Sequence, residues 1–177
     1  LTPVRAVYFV DMLPVEGEAH YRADPVDDAL VYSQEGLQVR VRFLSDQAIR
    51  EEAPGPDNPY VLQDIDYRLG YRPVGFTVFE VTVINPTFAK VRLDPEMAEL
   101  VIGQGLRLSS YEISRTTASG GLRNFEAHFL AQGVQTGDQQ KLYLERMGKV
   151  RETIYHRDSP VYKGKTYTGR IAYAPLP

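Results

Sequence analysis

Residues 75–87, Gly-Phe-Thr-Val-Phe-Glu-Val-Thr-Val-Ile-Asn-Pro-Thr, constrain this chain more than any other stretch. Phe79, Val81 and Val83 share one parity, and Phe76, Val78 and Ile84 share the other. Side chains alternate sides along a strand, so a segment apolar on both parities is hard to leave at a wet edge. Asn85-Pro86 stops it, because proline gives no N–H to a ladder and Asn-Pro favours a turn. The segment is predicted to be a central strand of an all-β core.

Other strands follow from the same alternation. Leu37, Val39, Val41 and Phe43 alternate with Gln38, Arg40 and Arg42, a half-buried strand with its arginines towards water. It is expected to pair with 29–32 around a turn at 33–36. Val4 to Val10 is rich in β-branched and aromatic residues and reads as a first strand. Residues 11–28 carry Pro14, Gly17 and Pro25 without periodicity and read as an irregular arm. Lys90 to Leu93 reads as a short strand closing a hairpin-like return, and Leu106 to Ser114 as another strand. At the far end, Tyr167, Gly169, Ile171 and Tyr173 share one face of a strand after the turn Lys163-Gly164-Lys165.

Helical periodicity is clear only in 137–156, where Tyr143, Met147, Val150 and Ile154 line one face, with Asp138 as its N-cap. Three stretches stay open. Ser45 to Ile49 suits one helical turn, residues 94–102 suit a helical start or a strand, and 125–130 likewise.

A chain of 177 residues with 43% hydrophobic and 24% charged residues suits one soluble domain over 1–177. Residues 1–28 form its first strand and arm, and 30–177 its core. A net charge of −3 gives no electrostatic footprint for nucleic acid, and no apolar run approaches a transmembrane segment. With no cysteine, the chain has no disulfide framework, thiol nucleophile or cysteine-built zinc site. It opens at Leu1, which suggests either a removed export signal or a trimmed chain; export is the expectation, with a lipid anchor upstream of Leu1 as one form of it.

Three patterns together resemble the immunoglobulin-like sandwiches of exported bacterial proteins, including small lipoproteins. They are the glycine turn into Gly36-Leu-Gln-Val-Arg-Val, the strand Phe79-Glu-Val-Thr-Val-Ile-Asn-Pro followed by Val91-Arg-Leu93, and Tyr162-Lys-Gly-Lys-Thr-Tyr-Thr-Gly-Arg-Ile-Ala-Tyr. The resemblance implies an immunoglobulin-like two-sheet antiparallel sandwich, here with one inserted helix at about 138–156. It also implies a periplasmic or cell-envelope binding or scaffolding role.

Candidate chemistry is sparse. Glu152 and His156 lie four apart on the expected helix and could share a metal ion, but a pair falls short of a zinc site, and an exposed ion pair is the plainer reading. Asp24, Asp27 and Asp28, or Asp57, Asp64 and Asp66, could offer oxygens to calcium; neither set has calcium-loop spacing, and solvated loop carboxylates are the plainer reading. Tyr60, Tyr67 and Tyr71 surround the Pro/Gly-rich loop at 54–59 and could form a face for a partner or sugar, although tyrosine is equally a strand residue. No nucleophile elbow or phosphate cradle is present in the sequence. The expectation is a non-enzymatic envelope module with no cofactor, meeting a protein partner through strand edges or these tyrosines. The alternative is a metal- or carbohydrate-binding protein or an enzyme accessory domain.

Overall fold

The computed structural model describes residues 10, 12, 19–61, 75–103, 105–114 and 123–176. In chain order the elements are β1 (Tyr21–Ala23), β2 (Leu30–Gln34), β3 (Leu37–Leu44), α1 (Asp46–Glu52), β4 (Thr77–Asn85), β5 (Lys90–Val91), a 3-10 turn (Pro95–Met97), β6 (Glu99–Ile102), β7 (Leu106–Ser109), α2 (Phe125–Ala131), α3 (Gly137–Thr153), β8 (Val161–Tyr162) and β9 (Lys165–Tyr173). They form a five-stranded antiparallel sheet in the order β1-β2-β3-β4-β9, with two-stranded ribbons β5-β8 and β6-β7. The fold is therefore mostly β, with three helices where the sequence suggested one.

The expected central strand is β4, held between β3 and β9 with Val81 opposite Val41 on one side and Gly169 on the other. The turn into β3 needs two residues only. Glu35 and Gly36 have φ of 49° and 88°, the positive pair a tight hairpin demands, and Gln34 pairs directly with Leu37. Asn85 ends β4 as a buried knot: its Nδ2 donates to the Phe88 and Val161 carbonyls, each at 2.8 Å, and its Oδ1 accepts from the Phe88 amide.

Each face of the sheet has its own core. On one, Leu44, Phe76, Val78 and Ala172 meet Ile49 of α1, Phe125 and Phe129 of α2, and Met147 and Val150 of α3. The predicted stripe of α3 is thus real, with Tyr143 packed beside it and Ile154 just past the helix end. Thr136, not Asp138, is its N-cap, in a reciprocal capping box with Gln139. Past the helices this face turns polar, where Arg42 meets Glu80 at 2.8 Å and Thr82 meets Thr168 at 2.9 Å.

On the other face, Phe79, Val81, Val83, Ile171 and Tyr173 pack against Tyr155, Val161 and the inner side chains Leu100 and Leu108 of the β6-β7 ribbon. Gly169 makes this closure possible, since a Cβ there would lie 2.5 Å from Tyr155 Cα. The Tyr155 amide donates to Arg170 O at 2.8 Å, and the Tyr111 amide to Ala172 O at 2.8 Å, so segments outside the sheet line the outer side of β9.

Several local expectations need correction. β5 pairs with β8 rather than returning along β4. Residues 46–52 and 125–131 are helices, capped by the Ser45 and Asn124 side chains. The arm at 11–28 contains strand β1. The expected first strand, 4–10, lies outside the described residues except for Val10, which packs on the second core. Among the described residues no helix is long and apolar enough to cross a membrane.

Candidate functional site

On the second face the side chains of β4 are buried, whereas those of β3 are half-buried. Phe79, Val81 and Val83 are at most 5% exposed, whereas Leu37, Val39, Val41 and Phe43 are all half-buried. Here lies a shallow open groove of about 360 Å³ lined by Tyr21, Leu30, Tyr32, Val39 and Val41. Pairing explains the set: Tyr21, Tyr32 and Val39 stand in one cross-strand row, and Leu30 and Val41 in the next. Rows two residues apart share a face, so five side chains from three strands converge on one floor.

Aromatic contacts shape one wall. The Tyr21 and Tyr32 rings lie 5.2 Å apart, and His20 meets Tyr32 edge-on at 5.9 Å. The Tyr32 hydroxyl donates to Gln34 Oε1. Phenols of this kind combine apolar area with a polar handle at small entropy cost.

The hairpin that carries this wall is fixed from the opposite face. Between β1 and β2, Asp24 Oδ1 accepts from the Val26 amide at 3.0 Å, and Asp27 Oδ1 from the Ala29 amide at 3.2 Å. Arg40 of β3 forks to Asp24 at 2.7 Å and to both Asp27 oxygens at 3.1 Å. The Val26 amide, then Arg40, hold the Asp24 carboxyl below its ordinary value. This arrangement also answers the calcium idea for Asp24 and Asp27: their carboxylates already have a cation, and it is Arg40. Val26 at the loop tip is 90% exposed.

The residues singled out from sequence fall elsewhere. Tyr60 is 1% exposed, its hydroxyl 2.6 Å from Thr153 Oγ1 and its ring 5.3 Å from the Arg170 guanidinium carbon; burial pushes its pKa up to about 12. It is a core residue and cannot serve as surface for a partner. Asn58 puts it there, accepting from the Tyr60 amide while donating to the Ile49 and Ala53 carbonyls at the end of α1. Tyr67 and Tyr71, like Asp64 and Asp66, lie outside the described residues.

Glu152 and His156 do not share a helix face, because α3 ends at Thr153 and Ile154 is already extended. His156 Nε2 instead lies 2.6 Å from the Arg151 carbonyl, and its amide donates to Tyr167 Oη at 3.2 Å. Asp57 is paired with Lys149 at 2.6 Å. Among the described residues no cluster of three or more histidines and carboxylates is placed to hold a metal.

The groove itself escaped sequence reading because Tyr21 sits in a stretch without periodicity. The alternation of Leu30 and Tyr32 with buried Val31 was its one visible sign. No known protein family matches this chain, and neither does any curated protein or solved structure.

Proposed function

We propose that this domain is a non-enzymatic binding or assembly module of a bacterial envelope, holding a protein partner at the groove on β1 to β3. The half-covered apolar face carries this reading. At about 360 Å³ the groove sits near the lower limit of small-molecule clefts, roughly 300–1,000 Å³, and it is open rather than enclosed. That shape suits a few apolar side chains of an extended partner segment better than an engulfed ligand. Among the described residues its lining is three aliphatic side chains and two phenols, a composition that favours binding over catalysis. The layering of five strands against two ribbons across Phe79, Val81 and Val83 supports reading the domain as an immunoglobulin-like sandwich. The envelope location rests on the sequence resemblance; an alkaline phosphatase fusion to the natural open reading frame should be active, and an inactive fusion would remove that part.

The groove is tested with peptides selected on the purified domain from a displayed random library. Calorimetry should show the selected peptides losing at least about tenfold in affinity, or about 1.4 kcal/mol, on Tyr21→Ser combined with Val39→Ser. Peptides that bind the variant equally well would overturn the site. Sedimentation velocity guards against the other occupant, since a dimer dispersed by the same variant would assign the groove to a second copy.

A further inference from the structure

A chain of hydrogen bonds ties α2 to α3 and to the loop after α1, and it begins at a histidine. His128 Nε2 lies 3.1 Å from Gln132 Nε2, Gln132 Oε1 accepts from Arg146 Nη1 at 3.2 Å, and Arg146 Nε and Nη2 donate to the Pro56 carbonyl at 3.1 and 2.9 Å. An amide nitrogen only donates, so His128 Nε2 must be the unprotonated acceptor, with the proton on Nδ1. We infer that His128, Gln132 and Arg146 form a proton-operated latch, closed when His128 is neutral and broken when it gains a proton.

The logic does not depend on how the amide is oriented. With His128 charged, both ring nitrogens donate, and Nε2 faces the Gln132 NH₂. If the amide turns over, its oxygen satisfies His128, but its NH₂ then faces the Arg146 guanidinium, another pure donor. One bond of the chain is lost either way, because a single carboxamide oxygen cannot serve two donors that stand on opposite sides of it.

The surroundings bias His128 towards the neutral form. Its ring lies 4.7 Å from Phe76, 6.3 Å from Tyr111 and 5.3 Å from Phe129. Burial, then the charge of Arg146, lowers its pKa from the ordinary 6.5. Among the described residues, other ionisable groups about α2 include Tyr111, Glu112 and Arg123 beside its start, Tyr143 on α3 and Glu126 on α2 itself, with the Tyr143 hydroxyl 3.5 Å from Glu126 Oε1.

Amide hydrogen exchange on the whole chain, corrected for the intrinsic pH dependence, tests the latch. Between pH 7.5 and 5, protection of α2 should fall about threefold to tenfold, the range of one neutral hydrogen bond. His128→Phe keeps the aromatic packing and should remove the pH dependence; Gln132→Met, which leaves His128 buried beside Arg146 but takes the amide away, should lessen it without abolishing it. Gln132→Glu is the decisive change. A carboxylate accepts from both charged neighbours, so its latch should tighten as His128 gains a proton and the slope should reverse sign. A flat profile in the natural protein, or an unchanged slope in Gln132→Glu, would overturn the inference.

Discussion

The two faces of the central sheet are covered by different means. Helices cover one: Phe125, Met147 and Val150 are fully buried where α2 and α3 lie across Val78 and Ala172. Two ribbons cover the other, and β5 and β8 are only two residues long. A helix presents a broad apolar stripe over several turns, whereas a two-residue strand presents one side chain inward. Leu44, Val78 and Ala172 on the helical side are accordingly buried, whereas Leu37, Val39, Val41 and Phe43 on the ribbon side are half-buried.

The largest expected effect lies on the helical side. Phe125→Ala should cost about 3–5 kcal/mol in urea unfolding, because its fully buried ring packs against Tyr60, Phe76, Tyr111 and Phe129. A loss below about 1 kcal/mol would mean that the two sides are packed alike. Asn85→Ala follows, on the order of 2–3 kcal/mol, since it takes the Asn85 donor from the buried Val161 carbonyl and the part-buried Phe88 carbonyl. Val39→Ala, on the half-covered strand, should cost only about 1 kcal/mol while weakening peptide capture. If its cost matches that of Phe125→Ala, the groove is closed in solution.

The smallest effect is electrostatic. Asp24 is held below its ordinary value of 3.8, so its contribution is present above that pH and lost as pH falls through the lowered folded value. Acid unfolding monitored between pH 5 and 2, over roughly the carboxylate range, should be shallower in Asp24→Asn. An identical acid limb in the two proteins would show that the Arg40 fork does not secure the hairpin.

Local alternation made β3, β4 and β9 legible in the sequence, because each repeats its apolar residues over several positions. The α3 stripe was legible for the same reason. Short helices were harder: α1 and α2 have seven residues each, and a pair such as Phe125 and Phe129 fits one helical face yet proves little over so short a run. Ser45 and Asn124 were the cap signals available there. Pairing between distant segments left no local trace, so β5 was matched to the wrong partner. Tyr60 was misread because its burial depends on Asn58, Thr153 and Arg170, the last two far along the chain. The groove is legible only once β1 is known to lie beside β2.

The position of β9 sets an order of events in folding. Residues 165–173 supply Ile171 to one core and Ala172 to the other, and they pair with a strand some ninety residues earlier. Until β9 has paired, β4 has one long flank bare and neither layer can shut. A folding chain is therefore half assembled, with apolar surface on both sides of β4, until β9 is in place.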